Sequence, residues 1–151
     1  KLKPSGVEWL GDVPEGWEVI PPKRLLSSRS SGNAPIKNTA SDRPVEGYCP
    51  AYSASGQDVW LPEARFSGNA LILSAVGARC GKTFLAEGKW AVTANTHILF
   101  VPPSQSLRYW WFVTNLPNWW ERAGAAQPFV QVSRTIEKSF HGNQDFFFVG
   151  L

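Results

Sequence analysis

A largely apolar run at residues 70–76, Ala-Leu-Ile-Leu-Ser-Ala-Val, constrains the fold of this chain more than any other segment. The run is long enough for a buried strand but short for a helix, and Gly77 ends it. Further short strands, separated by turns rich in glycine and proline, are predicted at 17–20, 83–86, 90–92 and 97–101. We therefore expect a β-rich domain built around a buried strand.

A helical pattern begins after Pro102-Pro103. Residues at three- and four-residue spacing, which lie on one face of a helix, are Leu107, Trp110, Trp111 and Thr114. Ser104 or Ser106 can cap this helix, because a serine hydroxyl accepts a hydrogen bond from a free backbone N–H of the first turn.

A second short helix is predicted from Pro117, with Asn115 near its cap and Gly124 as its end. This helix would carry Trp119 and Trp120. Most of the tryptophan rings on the two helices are expected in the core, since they recur at helical spacing.

The pattern as a whole predicts an α+β fold, with a twisted, mostly antiparallel sheet, long polar loops and two short helices packed at one side. The longest polar loop is expected at 27–47, and the end of the chain, from Phe129, is again strand-like. Trp9 is expected to pack an N-terminal arm on the domain. Three parts are expected: the arm at 1–16, the domain at 17–140 and an atypical tail at 141–151.

Length and composition limit the function classes. A chain of 151 residues fits one domain, and its net charge of +3, from 15 basic and 12 acidic residues, permits an anionic partner without requiring one. Cys49 and Cys80 form no CxxC pair and there are two histidines, so no metal site is expected. Isolated cysteines suit a reducing compartment, and no apolar run is long enough to span a membrane, so we expect a cytoplasmic protein.

The segment Gly-Ala-Arg-Cys-Gly-Lys-Thr at 77–83 resembles a phosphate-binding P-loop. Its glycines are separated by three residues where that motif needs four, and 84–88 reads as strand and turn where the motif needs a helix. A glycine-rich turn with two exposed cations is the simpler interpretation.

Parts of the sequence are also compatible with two other functions. Glu87-Gly88-Lys89, with Asp58 and Glu63 upstream, has the acidic-x-Lys spacing of many Mg-dependent nucleases, but it also fits an ordinary hairpin turn. A tryptophan-rich β domain could instead bind carbohydrate through exposed rings. The chain has no Asn/Asp-Pro-Pro-aromatic element, so methyl transfer to a DNA base is not predicted.

The opening of the chain carries a family resemblance. Residues 3–19, Lys-Pro-Ser-Gly-Val-Glu-Trp-Leu-Gly-Asp-Val-Pro-Glu-Gly-Trp-Glu-Val, are similar to the start of type I restriction specificity subunits. Later segments that look like the same family are Pro-Ala-Tyr-Ser-Ala-Ser-Gly at 50–56, the run at 70–73 with the glycine turn after it, and Thr-Ala-Asn-Thr at 93–96. The resemblance covers about residues 3 to 140 and implies a single target-recognition domain.

The resemblance implies sequence-specific binding of double-stranded DNA and no catalytic site in this chain. Family members usually carry two recognition domains separated by long helices, and they assemble with methyltransferase subunits that use S-adenosylmethionine and with restriction subunits that use ATP and Mg. Here His-Gly-Asn-Gln-Asp at 141–145 stands where the family has a Pro-Leu-Pro-Pro segment before a long helix. We therefore expect a truncated form with no cofactor of its own, and pairing of two copies is left open.

A DNA reader needs cations for phosphates and forked polar side chains for base edges. The loops supply such candidates: Arg29, Asn33, Lys37, Asn38, Arg43, Ser53, Ser55, Gln57, Arg79, Lys82, Gln131 and Arg134. The loops at 27–47, 53–58 and 77–82 are expected to converge on one face, with Arg79 as the foremost contact. Asn95 and Thr96 are expected as buried turn residues instead.

Overall fold

The structure, a computed structural model, describes residues 1–6, 11–20 and 24–117, and the backbone of 148–150. Twelve strands are found in these parts: β1 (Leu2–Pro4), β2 (Asp12–Pro14), β3 (Glu18–Ile20), β4 (Ser27–Ser30), β5 (Cys49–Ser53), β6 (Gly56–Leu61), β7 (Phe66–Ser67), β8 (Ala70–Ser74), β9 (Thr83–Ala86), β10 (Lys89–Val92), β11 (Thr96–Phe100) and β12 (Phe148–Gly150). One α-helix, α1 (Leu107–Thr114), accompanies them. The described part is thus mostly β, and it contains the first of the two predicted helices.

Eight of these strands form two four-stranded sheets, where the sequence predicted one sheet, and the other four form two separate pairs. The buried sheet, as we name it, has the order β4-β11-β8-β9 and is antiparallel throughout. Its two middle strands, β8 and β11, pair from Thr96 opposite Ser74 to Phe100 opposite Ala70. All five residues of β8 are buried, as the apolar run predicts.

The second sheet, here called the outer sheet, has the order β6-β5-β10-β7. Its β10 pairs in parallel with β5 and antiparallel with β7. The prediction of strands at 83–86 and 90–92 is confirmed, but the tight turn between them is not a hairpin. Glu87 and Gly88 instead carry the chain from one sheet to the other, because β9 pairs with β8 while β10 pairs with β5 and β7.

Aromatic rings fill the space between the two sheets. Trp90 of β10 is fully buried and donates its indole N–H to the Gly68 carbonyl at 3.0 Å. Phe66 stacks on it with ring centroids 4.9 Å apart. Gly56 has a φ of +117°, and a Cβ atom at this position would lie 3.2 Å from the Phe84 ring. Glycine is therefore required where the 54–55 hairpin crosses the neighbouring sheet.

Helix α1 covers the buried sheet. Ser106 is its N-cap, and its hydroxyl accepts a hydrogen bond from the Tyr109 backbone N–H at 3.2 Å, as one of the two predicted caps. Trp110 is 1% exposed and packs beside Leu71 and Leu99. The buried face also contains Leu107, Val113 and Thr114, whereas the predicted Trp111 is 40% exposed, because it lies at the margin of that face. The second predicted helix, with Trp119 and Trp120, falls outside the described residues.

The segment at 27–47 does not start as a loop, contrary to the sequence prediction. Ser27–Ser30 pairs along β11, where it forms an edge of the buried sheet. The polar sequence Ser-Ser-Arg-Ser does not predict this strand, because an edge strand with a solvent-facing side needs few apolar residues. A single 3-10 turn at Lys37–Thr39 interrupts the rest of the segment.

The predicted arm contains a two-stranded hairpin, in which β1 pairs with β2. Strand β3 agrees with the prediction for 17–20 and pairs antiparallel with β12, so part of the predicted tail at 141–151 is a strand. Trp9 lies outside the described residues. No helix in the described part of the chain is long and apolar enough to cross a membrane.

Candidate nucleic-acid interface

The strand registers bring four connections to one end of the domain. Strand β4 ends there at Ser30, β8 ends at Ser74 and β11 begins at Thr96, which pairs with Ser74. The outer sheet joins this end through the Thr93 backbone N–H, which donates to the Tyr52 carbonyl at 2.9 Å. We call this the loop end; its members are residues 31–38, 54–55, 75–82 and 93–95. The chain then runs along the outer sheet, where Ser41 pairs with Trp60.

Two side chains join the three predicted loops. The Arg79 guanidinium donates to the Ser55 backbone carbonyl at 2.7 Å, which links the 75–82 loop to the 54–55 hairpin. Lys37 forms an ion pair with Asp58, which links the first loop to the strand that follows the hairpin. The structure therefore brings part of each of the segments at 27–47, 53–58 and 77–82 together at one end of the domain. The later part of the first segment lies elsewhere, because Ser41 pairs with Trp60 toward the other end of the outer sheet.

Asp58 organises this junction. The pairing of β5 with β6 shifts register between Ala51 and Tyr52, so Asp58 is the extra residue of a β-bulge. Its second carboxylate oxygen accepts the Ser53 hydroxyl at 2.7 Å, and the Ser53 oxygen in turn accepts the Ser55 backbone N–H at 3.0 Å. One carboxylate thus fixes both the hairpin turn and the Lys37 side chain. The signal in the sequence is an aspartate five residues after a serine across a two-residue turn.

The glycine turn at 75–82 is compact. A 3-10 turn spans Gly77–Arg79, and the backbone N–H groups of Gly81 and Lys82 donate to the Ser74 and Arg79 carbonyls at 3.0 and 2.9 Å. The segment after it is strand β9 and not a helix, which confirms that this is not a P-loop. Gly77 has a φ of +76°, which only glycine adopts without strain.

Helix α1 supports the far side of this turn. The Asn115 side chain accepts the Thr83 backbone N–H at 3.1 Å and donates to the Thr83 hydroxyl at 2.7 Å. The Thr83 and Thr114 hydroxyls lie 2.7 Å apart. Thr83 is therefore fixed to the end of the helix. Because Thr83 follows Lys82 directly, these bonds restrain the backbone of the turn that carries Arg79 and Lys82.

The remaining predicted residues are spread over two settings. Most are exposed at the loop end or beside it: Arg29, Asn33, Lys37, Asn38, Ser55, Gln57, Arg79 and Lys82. Arg43 is exposed but lies away from the loop end, because it is bonded to Ser41, which pairs with Trp60 toward the other end of the outer sheet. Ser53 is 2% exposed and its hydroxyl is engaged by Asp58, so the prediction that it faces a ligand is wrong. Gln131 and Arg134 lie outside the described residues.

Asn95 and Thr96 differ from each other. Thr96 is 1% exposed and donates its hydroxyl proton to the Thr93 carbonyl at 2.9 Å, as expected of a buried turn residue. Asn95 is exposed and has a φ of +67°, the left-handed region that asparagine tolerates better than most residues. Asn95 lies in the short connection between β10 and β11. In the same connection, the Ala94 backbone N–H donates to the Pro35 carbonyl at 2.8 Å.

The alternatives weighed from the sequence find no support in the described residues. No group of three or more His, Cys, Asp or Glu side chains is placed to hold a metal ion there. Glu87 lies at the connection between the sheets, whereas Asp58 is paired with Lys37 at the loop end. Burial raises the pKa of both the Cys49 and the Cys80 thiols, which disfavours the reactive thiolate.

A carbohydrate-binding surface would need coplanar exposed tryptophans. Among the five described tryptophans, Trp90 and Trp110 are buried and Trp17 and Trp60 are half-buried. Trp111 is the one exposed ring of that set, and its indole N–H donates to the Thr83 carbonyl at 3.0 Å. The described tryptophans therefore serve packing and form no shared platform.

Comparison with solved structures identifies the fold. The S subunit of a type I restriction-modification system from M. genitalium matches 91% of this chain with a TM-score of 0.65 and 12% identity. A chain from a structural study of complex assembly and conformational transition of the type I R-M system matches 92% with a TM-score of 0.59 and 15% identity. The HsdS subunit from Thermoanaerobacter tengcongensis matches 98% with a TM-score of 0.54 and 10% identity. In each case the match covers 35% of the solved chain.

No family model matches this chain. No curated protein matches it significantly. The structural match, however, extends over nearly the whole chain and about a third of each solved subunit. The resemblance predicted from the opening residues is therefore confirmed in the fold, which is similar to about a third of type I restriction-modification S subunits.

Proposed function

We propose that this chain reads a sequence in double-stranded DNA as the specificity component of a type I restriction-modification system. The observation that carries the proposal is the loop end, where segments from both sheets are joined by Arg79 and Asp58 and present exposed cations and amides. The shared fold with type I S subunits supports the same function.

The exposed side chains divide by the task that their chemistry allows. Arginine can fork onto guanine, and asparagine or glutamine onto adenine, so Arg79, Asn38 and Gln57 are the candidates for base contacts. Lys82 is suited to a phosphate, where a charge suffices. Lys37 is already paired with Asp58, so its part is to hold the first loop in place.

Arg79 is the foremost candidate. Its guanidinium has five N–H donors, and the single bond to Ser55 leaves donors for a base edge. That same bond restricts the side chain before DNA arrives, which lowers the entropy lost on binding. The turn that carries it is fixed to helix α1 through Thr83 and Asn115.

The proposal gives this chain no catalytic step and no cofactor. Methyl transfer from S-adenosylmethionine and ATP- and Mg-dependent cleavage would belong to methyltransferase and restriction subunits, with which the specificity component assembles. A single domain covers only ~600–1,000 Å² of its surface on DNA, so we expect weak binding with strong competition from non-specific duplex.

The experiment begins with selection of bound sequences from a randomised duplex pool. Wild type and Arg79→Ala are then titrated against the selected duplex and a scrambled one at two salt concentrations. If Arg79 forks onto guanine, the variant should lose ~1–3 kcal/mol on the selected duplex and relax the preference at one base pair. If Arg79 meets only phosphate, both duplexes should lose equally and the slope of log K against log salt should shrink by ~0.9. Equal binding of both proteins to both duplexes would reject the assignment, and no binding by wild type at low salt would count against DNA reading.

A further inference from the structure

A second basic site lies beside the loop end, between the edges of the two sheets. Strand β4 is one edge of the buried sheet and β7 is one edge of the outer sheet. A cleft of about 310 Å³ opens between them. Its lining consists of residues 29–34, Arg65, Phe66 and Val92.

The charge of this cleft is one-sided. Arg29 and Arg65 both line it, and no acidic side chain does. Asn33 and the hydroxyls of Ser30 and Ser31 add hydrogen-bonding groups that suit an oxyanion. The lining therefore combines two guanidinium groups with neutral polar groups, a set that favours a phosphate ester over a cation or an apolar ligand.

The two arginines are held in different ways. Arg29 lies over the Phe66 ring, with its guanidinium carbon 5.6 Å from the ring centroid, so its position is restrained by a cation–π contact. Arg65 has its backbone N–H bonded to the Trp90 carbonyl at 3.1 Å, while its exposed side chain makes no hydrogen bond or ion pair within the described residues. One guanidinium is thus restrained, while the other has no bond to the described residues that would keep it from turning toward a ligand.

The cleft is continuous with the first loop. Ser30 ends β4, and the Ala34 backbone N–H donates to the Ser31 carbonyl at 3.1 Å, so residues 31–34 form a turn at the mouth of the cleft. The next residue, Pro35, accepts the Ala94 N–H of the loop end. A duplex that lies on the loop end would therefore pass the mouth of the cleft with its sugar-phosphate backbone.

We infer that the Arg29–Arg65 cleft is a clamp for one backbone phosphate of the bound duplex. The inference rests on the proposed function, because the duplex must lie on the loop end for its backbone to reach the cleft. The clamp sets the position of the domain on DNA and carries no sequence information. Arg65 was not among the residues predicted from the sequence, since it follows an irregular segment with no motif around it.

The test compares Arg29→Ala/Arg65→Ala with Arg108→Ala/Lys89→Ala. Both double variants remove two exposed cations, but Lys89 starts β10, away from the loop end, and Arg108 lies in the first turn of α1. Binding of selected and scrambled duplexes is measured over a salt series, and thermal unfolding verifies that each variant is folded. The cleft variant should lose about tenfold in affinity on both duplexes and reduce the slope of log K against log salt by about 0.9. The control should keep the wild-type slope within half of that change.

Conservative variants and modified DNA sharpen the result. Arg65→Lys should keep most of the salt slope, because lysine retains the charge. A duplex with one neutral methylphosphonate at the contacted position should bind wild type more weakly but bind the cleft variant unchanged. If wild type binds the selected duplex while the cleft variant matches the control, the clamp is rejected and the proposed function stands. If wild type binds no DNA at low salt, the proposed function fails first.

Discussion

The buried sheet and the loop end are held together by different kinds of contact. In the buried sheet, Leu71, Ile72 and Ile98 are fully buried, and helix α1 closes the layer with Trp110. At the loop end, three connections are joined by the Arg79 bond to Ser55 and by the contacts of Asp58. Stability therefore resides in the sheet, and the arrangement of the proposed reading surface depends on a few polar bonds.

This difference separates the two properties that a substitution can change. Loss of a buried ring leaves a cavity that the close-packed core does not refill, so it lowers the free energy of unfolding. Loss of an exposed polar bond has little effect on that free energy, because water replaces the partner. A variant of the loop end can therefore alter binding while the domain remains folded.

The largest effect on stability is expected from Trp110→Ala. Its side chain is 1% exposed and lies between helix α1 and the buried sheet. Its removal should lower the free energy of unfolding by about 3–5 kcal/mol. Phe112→Ala on the same helix is the control, because that ring is 62% exposed and should cost less than ~0.5 kcal/mol. Denaturant unfolding measures both, and similar midpoints for the two variants would contradict the assignment of the core.

A smaller effect is expected where the two regions meet. Asn115→Ala removes bonds to the Thr83 backbone and hydroxyl and should lower the free energy of unfolding by about 1–3 kcal/mol. Asn38→Ala is the matched control, since Asn38 is exposed and its side chain makes no hydrogen bond within the described residues. Chemical denaturation of the pair gives the comparison, and an unchanged midpoint for Asn115→Ala would show that the helix does not support the glycine turn.

The buried sheet could be predicted from the sequence and the loop end could be predicted only in part. The run at 70–76 and the strands at 83–86 and 97–101 follow from local apolar patterns, and the structure confirms them. Strand β4 was missed because Ser27–Ser30 is polar and forms only when β11 lies beside it. The division into two sheets was missed for the same reason: pairing partners are set by contacts between distant segments, which a local pattern does not contain.

The candidate site shows the same limit at the level of side chains. The sequence identified the cations of the three loops, but not which of them are already engaged. Lys37 pairs with a carboxylate 21 residues away, and Arg79 donates to a carbonyl 24 residues away. From the sequence alone, Asp58 is compatible with a nuclease carboxylate. Its place in a β-bulge beside Ser53 depends on the register of β5 and β6, which the sequence does not reveal.

Asp58→Ala tests whether the junction organises the loops. Its ion pair with Lys37 contributes little, but the buried Ser53 hydroxyl loses its acceptor, so the free energy of unfolding should fall by about 1–2 kcal/mol. Glu63→Ala is the control, because it also removes one exposed negative charge and should raise affinity for any duplex to a similar extent. The ratio of affinities for selected and scrambled duplex should fall in Asp58→Ala and stay constant in Glu63→Ala. A constant ratio in both would mean that the junction has no part in reading sequence.

The smallest effect on stability is expected from Arg79→Lys, which also separates the regions most sharply. Arg79 is exposed and its side chain makes one hydrogen bond within the described residues, to the Ser55 carbonyl, so the free energy of unfolding should change by less than ~0.5 kcal/mol. Lysine keeps the charge but lacks the planar fork that matches a guanine edge. A base-reading Arg79 should therefore lose its preference at one base pair while the salt slope stays at the wild-type value, because the number of neutralised phosphates is unchanged. Titration of wild type and Arg79→Lys against the selected duplex and its single-base-pair variants measures this loss. If Arg79→Lys keeps the wild-type preference at every base pair, Arg79 contacts phosphate and not a base. Asn38 and Gln57 would then be the candidates for reading bases.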